Sequence, residues 1–309
     1  MRVFVAGASG AIGRPLVAKL IAAGHEVTGT TRSEARAAEV RAAGADASLV
    51  DAFDADALRT AVERASPEVI VHELTSLPDR IDFRKEDTYT ATNRVRTEGT
   101  RNLIDAARAA GARRFVCQSI AFAYRMDGAA LKTEEDPLLA EAPGTFGSAL
   151  GALREMEEMV LASDGLDGLV LRYAFFYGPG TYYADDGTST QDVRRRRLPI
   201  VGKGSGVFSF IHVDDAADAT VAAVERGAPG VYNVSDDEPA PPQDVVAYAA
   251  ELMGLPVPPE VAFETAELTG MAASFWIECK RVGNARIKAD LGVELMYPTY
   301  REGLRALLV

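Results

Sequence analysis

The sequence predicts an α/β fold in which helices cover both faces of a doubly wound parallel β-sheet. Two observations predict it. Short apolar segments alternate with helix-forming segments at intervals of about 20 to 30 residues, which is the pattern of right-handed βαβ units. In addition, a turn with three glycines joins the first apolar segment directly to the first helix. Parallel strands need such crossover connections, and each crossover here has room for a helix.

The predicted strands of the sheet are short and mainly apolar, at residues 3–6, 27–31, 47–50, 69–72, 115–119, 169–173 and 231–234. Helices are predicted between them at residues 15–23, 33–43, 54–64, 89–110 and 148–163. Residues 181–206 interrupt this alternation, and a strand at 208–212 resumes it before an alanine-rich helix that ends near Gly227. The remainder is helical with proline breaks.

The first turn between strand and helix carries Gly7, Gly10 and Gly13 at a spacing of three. The N–H groups at a helix start are unpaired and the helix dipole favours negative charge there, so the turn is suited to phosphate. The glycines permit the sharp turn and the close approach of a pyrophosphate. This predicts a dinucleotide site, with a tight turn that binds nothing as the alternative. The turn residues predicted to contact the cofactor are Gly7, Ser9, Gly10, Ala11 and Ile12.

The end of the second predicted strand indicates which dinucleotide binds. NAD-binding versions of such a site usually place an acidic residue there, whereas this chain has Arg32 between Thr31 and Ser33. An arginine can pair with a 2′-phosphate, so NADP(H) is predicted over NAD(H). The alternative is an exposed arginine beside a helix cap at Ser33. Asp51, after the third strand, is predicted to contact the adenine amino group or to cap a helix.

Composition narrows the function classes. The 309 residues carry a net charge of −12, which disfavours nucleic-acid binding. The chain contains no run of about 18 apolar residues, so no membrane span is predicted. The strand predicted at the N-terminus leaves no room for a signal peptide. Cys117 and Cys279 give no disulfide framework, and the three histidines are too scattered for a metal site. A cytoplasmic protein with a small-molecule substrate is expected, and the sequence is compatible with a homodimer.

Further motifs recur in a fixed order along the chain. They are Gly99-Thr100-Arg101-Asn102-Leu103 after Asn93, Leu171-Arg172-Tyr173 before Tyr177-Gly178-Pro179-Gly180, Phe210-Ile211-His212-Val213-Asp214-Asp215, and Tyr232-Asn233-Val234. With the glycine turn, they resemble the extended short-chain dehydrogenase/reductase superfamily, which includes NAD(P)-dependent epimerases, dehydratases and reductases. The resemblance implies a Rossmann-type domain over residues 1–174 and 207–234 and a substrate-binding lobe over 175–206 and 235–309.

The chain departs from this superfamily at the proton relay. Family members typically carry Tyr-x-x-x-Lys on the helix after the fifth strand, because this spacing places both side chains on one face and the lysine lowers the pKa of the tyrosine. No tyrosine of this chain has a lysine four residues later. On the helix after the fifth strand, the positions expected for the tyrosine and the lysine hold Ala149 and Leu153 in one alignment, or Gly147 and Gly151 in another. The sequence therefore predicts an atypical, divergent member.

Other side chains are candidates for the catalytic roles. Ser119 ends the fifth strand and could contact the nicotinamide or the substrate, while Tyr124 and Tyr177 follow strands on loops expected to face the cleft. Each has a structural alternative, as a strand-end cap or a packed ring. Glu73 is a further possible acid or base. The residues predicted to lie along the cofactor are Leu74, Thr75, Ser119 and Tyr173.

Three functions remain open from the sequence. The first is an NADP(H)-dependent oxidoreductase acting on a small carbonyl or alcohol, in which the cofactor carries the hydride and the protein orients it. The second is an NAD(P)-dependent epimerase or dehydratase of a nucleotide sugar, although those reactions need a base. The third is a non-catalytic dinucleotide-binding sensor.

Overall fold

The computed structural model describes residues 1–78, 87–125, 128, 130–142, 144–197, 200–202, 206–266, 268 and 278–309. Its strands, in chain order, are β1 (Arg2–Ala6), β2 (Glu26–Thr31), β3 (Asp46–Leu49), β4 (Val69–His72), β5 (Arg114–Ile120), β6 (Asp167–Tyr173), β7 (Phe175–Tyr177), β8 (Ile200–Gly202), β9 (Val207–Phe208), β10 (Phe210–His212), β11 (Gly230–Val234), β12 (Glu260–Ala262) and β13 (Cys279–Lys280).

Seven of these strands form one sheet in the order β11-β6-β5-β4-β1-β2-β3, with every neighbouring pair parallel. The sheet confirms the predicted α/β fold, and its strand order reverses on either side of β1. Ligands of open parallel sheets bind at the carboxyl ends of the strands at such a reversal. The glycine turn follows β1 and therefore lies at this point.

The helices are α1 (Gly13–Ala22), α2 (Glu34–Ala42), α3 (Ala55–Ala65), α4 (Thr90–Arg94), α5 (Thr100–Ala109), α6 (Gly144–Leu161), α7 (Thr188–Arg194), α8 (Val213–Glu225), α9 (Pro242–Leu252), α10 (Ala285–Leu291) and α11 (Tyr300–Leu308). Two apolar cores cover the two faces of the sheet. One packs α1 and α8 against it, and the other packs α3, α5 and α6. Burial on both faces explains why the strands are apolar along their length.

Two predicted elements differ in detail from the observed ones. The helix predicted at 89–110 contains a π-helical turn, Val95–Gly99, between α4 and α5. The strand predicted at 208–212 is divided at Ser209 into β9 and β10. Ser209 separates them because its N–H donates to Lys280 of β13 while its carbonyl accepts from Phe175 of β7, so the chain changes partners there.

The remaining strands form three two-stranded parallel pairs, β10 with β7, β12 with β8 and β13 with β9. A third apolar cluster lies beside them and includes Tyr177, Phe208, Phe210 and Tyr300. Residues 198–199 and 203–205 of the predicted excursion lie outside the described residues. The division into two domains at the predicted boundaries stays a prediction.

Candidate dinucleotide cleft and active site

A cleft of about 590 Å³ lies at the carboxyl ends of β1 to β4. Its lining comes from four consecutive strand ends: the glycine turn after β1, the end of β2, the segment after β3 and the loop after β4. The volume of the cleft and its extent across neighbouring strand ends are typical of a small-molecule site. A dinucleotide can therefore extend from β3 to β4 in this cleft.

The glycine turn has a backbone that only glycine fits. Gly7 has a φ of +99°, and a Cβ on it would lie 2.8 Å from the carbonyl carbon of Glu73. A Cβ on Gly13 would lie 2.1 Å from the oxygen of Gly7. The Gly10 N–H donates to Gly7, whereas within the described residues the N–H groups of Ala11 and Ile12 have no protein acceptor. Free N–H donors at a helix start suit a pyrophosphate, and the contacts of Ala11 and Ile12 with the cofactor stay a prediction.

Two arginines lie at the β2 end of the cleft. Arg32 and Arg36 both line it, and neither guanidinium forms a salt bridge within the described part of the chain. Ser33 is the N-cap of α2 and accepts a hydrogen bond from the N–H of Arg36, which aims the first turn of α2 at the cleft. The sequence predicted Arg32 and missed Arg36, although a position three residues after a helix cap lies over the same turn.

Asp51 lines the same end of the cleft and accepts a hydrogen bond from the N–H of Phe53 at 3.0 Å. The alternative that Asp51 caps the following helix is wrong. Asp54 is the N-cap of α3, and its carboxylate accepts from the N–H of Ala57 at 3.0 Å. The contact of Asp51 with adenine stays a prediction.

The loop after β4 contains Leu74 and Thr75, both of which line the cleft. Three contacts hold its backbone. The Leu74 N–H donates to Nδ1 of His72 at 3.2 Å, the Leu74 carbonyl accepts from the amide of Gln118 at 3.4 Å, and the Ser76 N–H donates to Thr92 at 3.0 Å. These contacts hold the loop along the cleft, and the contact of Leu74 and Thr75 with the cofactor stays a prediction.

Glu73 on this loop has a buried carboxyl group. It is 8% exposed, lines the cleft and lies 2.9 Å from the hydroxyl of Tyr173, which lies 2.7 Å from the hydroxyl of Thr220. Burial raises the pKa of Glu73 to about 8, although the contact with Tyr173 opposes the shift. The carboxyl is thus protonated at neutral pH. Tyr173, predicted as a cofactor neighbour, is completely buried beneath the cleft.

Ser119 belongs to a buried charge network. Its hydroxyl donates to Glu157 of α6 at 2.5 Å, and the guanidinium of Arg172 on β6 binds the same carboxylate through Nε at 3.0 Å and Nη2 at 2.5 Å. All three side chains are at least nine-tenths buried. A bidentate pair of this kind satisfies both charges away from water. The predicted catalytic and cofactor-contacting roles of Ser119 stay untested, with its hydroxyl engaged in this network.

The two candidate tyrosines lie apart. Tyr124 is 1% exposed, its hydroxyl donates to Asn233 at 2.7 Å, and its ring lies under the guanidinium of Arg172 at 4.8 Å. Burial raises its pKa to about 12. Tyr177 is 3% exposed in the third apolar cluster, where burial raises its pKa further. Neither side chain lines the 590 Å³ cleft, and their catalytic roles stay predictions.

One buried arginine was missed by the sequence reasoning. Arg96, in the π-helical turn, is 6% exposed, and its Nη1 donates to the carbonyl of Ala149 in α6 at 3.4 Å. The signal was present, because Thr100 and Leu103 follow at helical spacing and both face the core. α6 itself contains neither tyrosine nor lysine.

Two further polar side chains have structural roles in the described residues. His212 is the N-cap of α8, accepting from the N–H of Asp214 at 3.1 Å. Arg194 forms an ion pair with Asp185. In the part of the chain that the structure describes, no group of three or more His, Cys, Asp or Glu side chains is arranged to hold a metal ion. No described helix combines the length and apolar character of a membrane span.

Comparison with known proteins agrees with this site. Residues 3–235 match the family described as the NAD dependent epimerase/dehydratase family. The chain is 45% identical to a 3-diazoavenalumate denitrifying reductase from a Streptomyces species, over 98% of this chain and 99% of that protein.

Two solved structures show the same architecture. A conserved protein of unknown function from Silicibacter pomeroyi is 32% identical, with a TM-score of 0.74, over 99% of this chain and 98% of that one. A Thermus thermophilus UDP-glucose 4-epimerase in complex with NAD has a TM-score of 0.77 at 22% identity, over 100% of this chain and 98% of that one. Fold, cleft and sequence agree: the chain belongs to the NAD dependent epimerase/dehydratase family and is an NAD(P)-dependent oxidoreductase of the extended short-chain dehydrogenase/reductase type.

Proposed function

We propose that this chain is an NADPH-dependent reductase that acts on a small carboxylate carrying a diazo group. The observation that carries the cofactor assignment is the pair Arg32 and Arg36 at the β2 end of the cleft. A 2′-phosphate at this end gains two charge-assisted contacts, while the 2′-hydroxyl of NAD(H) gains none of comparable strength. The main chain of Gly7 to Ile12 would hold the pyrophosphate, and Leu74 and Thr75 would lie along the cofactor beyond it.

The substrate class rests on the 45% identical relative, which is named for a diazo compound. When bound, the reduced cofactor supplies the hydride that forms a new C–H bond on the substrate carbon, while the C–N bond breaks and its electron pair leaves with dinitrogen. When the substrate carbon carries an aryl diazonium group, this exchange consumes no proton, because the hydride replaces neutral dinitrogen. An aryl diazonium substrate therefore explains how α6 can lack both tyrosine and lysine. The chain needs only to bind and orient the two reactants.

Two matched electrophiles test this proposal. Para-carboxybenzenediazonium and para-carboxybenzaldehyde share a ring and a carboxylate and differ in the reacting group. With NADPH, we expect the protein to convert the diazonium to benzoate and dinitrogen faster than a reaction without protein. Conversion of the aldehyde but not of the diazonium would contradict the diazo assignment, as would isomerisation of UDP-glucose. The Arg32→Ala variant should turn over more slowly than wild type at low NADPH concentration, and its rate should approach that of wild type at high NADPH concentration.

Carbonyl reduction is the second candidate, and the buried Glu73 favours it. Reduction of a carbonyl needs a proton on the oxygen in addition to the hydride. Glu73 lines the cleft and holds a proton at neutral pH, since burial raises its pKa to about 8. In this case Glu73→Gln should abolish aldehyde reduction while leaving NADPH affinity unchanged. Retained aldehyde reduction in that variant would exclude Glu73 as the acid.

A further inference from the structure

A smaller cavity, of about 80 Å³, lies in the third apolar cluster, between β7, β9, β10, α7, α9 and α11. Aromatic rings form much of its wall, from Phe175, Tyr177, Phe208, Phe210 and Tyr300. Phe175 and Phe208 are stacked, with their ring centroids 4.7 Å apart. None of the described residues that line the cavity carries a charge. Because an apolar cavity of about 150 Å³ takes up benzene, this cavity has room for no more than one small ring.

Thr190 of α7 places a hydroxyl group in this apolar wall. It is 6% exposed and lines the cavity. Its hydroxyl makes no hydrogen bond with a described residue, and it is not among the unpartnered polar atoms that the protein encloses. The hydroxyl of Tyr177 differs, because it donates to a backbone carbonyl at 3.4 Å, and that of Tyr300 is fully enclosed. Thr190 is therefore suited to bind a polar group on a ligand.

The segment that follows β7 joins this cavity to the dinucleotide cleft. Gly180 lies against the glycine turn, since a Cβ on it would be 3.4 Å from the Cα of Ala11. The hydroxyl of Tyr182 donates to the carbonyl of Pro78, in the loop after β4, at 2.6 Å. The next residue, Tyr183, lines the cavity and is 41% exposed. Tyr183 thus marks the mouth of the cavity, on the side of the cleft.

We propose that this cavity binds the aromatic ring of the substrate, with a hydroxyl group of the ring on Thr190 and the reacting position at the mouth. The inference rests on the proposed function for the aryl diazonium group, and on the cavity for the ring. Aromatic side chains favour a flat ring through offset and edge-to-face contacts. An uncharged wall excludes a carboxylate, because burying a charge without a partner is costly. The substrate carboxylate therefore stays outside the cavity.

Calorimetric titration of the NADP⁺ complex with 4-methylphenol and with toluene tests the ring site. The two probes differ by one hydroxyl group. We expect wild type to bind 4-methylphenol about three- to tenfold more tightly than toluene, which is the effect of one hydrogen bond. Thr190→Val should bind both equally. Thr188→Val is the matched control, because Thr188 begins the same helix but does not line the cavity, and it should keep the preference.

A variant that fills the cavity tests the site independently of Thr190. Ala249 of α9 lines the cavity, so Ala249→Leu should abolish binding of both probes while leaving NADPH affinity unchanged. Filling a cavity keeps or raises the melting temperature, which thermal unfolding checks. Ala247→Leu is the control, because Ala247 belongs to the same helix and lies outside the lining. It should bind both probes as wild type does.

Turnover shows whether the ring that binds there is that of the substrate. In wild type, para-hydroxybenzenediazonium should have a KM about tenfold below that of para-carboxybenzenediazonium, because the cavity excludes the charged group. Ala249→Leu should remove this difference. Binding of 4-methylphenol that survives Ala249→Leu would overturn the proposal, as would equal KM values for the two diazonium compounds in wild type. If Ala249→Leu abolishes 4-methylphenol binding but neither diazonium is turned over by wild type, the proposed function fails and the ring site stands.

Discussion

The cleft at the carboxyl ends of β1–β3 and the buried polar region at the ends of β4–β6 are built in different ways. The first is made by local sequence: a glycine turn, a helix cap at Ser33 and two arginines one turn apart. The second is made by side chains that meet across the fold, such as Ser119 with Glu157 and Glu73 with Tyr173, which are 38 and 100 residues apart in sequence. A site made by the main chain can be predicted from spacing, whereas a site made by distant pairs needs the fold.

The two regions also differ in how their charges are placed. Arg32 and Arg36 are exposed to solvent, where an unpaired cation costs little. Arg96 and Arg172 are buried, where each charge needs a partner. Only Arg172 has one among the described residues. This difference predicts where substitutions affect folding and where they affect binding.

The largest effect is expected at the buried ion pair. Glu157→Leu leaves the guanidinium of Arg172 buried without its carboxylate, so we expect a loss of about 3–5 kcal/mol in the free energy of unfolding. Urea denaturation measures it. The double variant Glu157→Leu/Arg172→Met removes both charges and should be more stable than the single variant. Equal destabilisation of both would contradict the role of the unpaired charge.

The next effect is expected on cofactor binding. Arg32→Ala should weaken NADPH binding by about 10- to 100-fold, as expected for the loss of a charged hydrogen bond of about 1.5–3 kcal/mol. NADH affinity should change little. Fluorescence titration with each cofactor measures both. Arg41→Ala, which removes a paired arginine from α2, should leave both affinities unchanged. Equal weakening of NADPH and NADH by Arg32→Ala would refute the 2′-phosphate contact.

Glu73 should make stability depend on pH. Its pKa is raised in the folded protein, from 4.5 to about 8, so its contribution to stability is fully present below pH 4.5 and is lost as pH rises through 8. The slope is at most about 1.4 kcal/mol per pH unit. Glu73→Gln should remove this slope, which denaturation at pH 5, 6 and 7 measures. An identical pH dependence in both proteins would show that the carboxyl is ionised.

The smallest effect is expected at Tyr124. Tyr124→Phe removes one buried hydrogen bond to Asn233, so the free energy of unfolding should fall by about 1 kcal/mol. Diazonium turnover should stay within a few-fold of wild type, because that exchange needs no proton donor. Diazonium turnover by Tyr177→Phe should likewise stay within a few-fold of wild type. Loss of aldehyde reduction in either variant, with stability retained, would instead support the predicted role of that tyrosine as an acid.

The sequence predicts the sheet and the tight glycine turn after β1 well, because alternation and glycine spacing are local signals. It also leads to the end of β2, where Arg32 lies in the cleft as expected. It did not reveal that Ser119 is engaged by Glu157 and Arg172, because nothing in the spacing of these residues joins β5 to α6 and β6. It did not single out Arg96 either, although a charged residue on an apolar helix face is a visible signal.

The most direct test of the account follows a labelled hydrogen. NADPH that carries deuterium on its transferring carbon is incubated with the protein and para-carboxybenzenediazonium in ordinary water, and the benzoate is analysed by mass spectrometry. The account predicts one para deuterium in benzoate for each NADPH consumed. Unlabelled benzoate, or no turnover from a protein that binds NADPH, would contradict it.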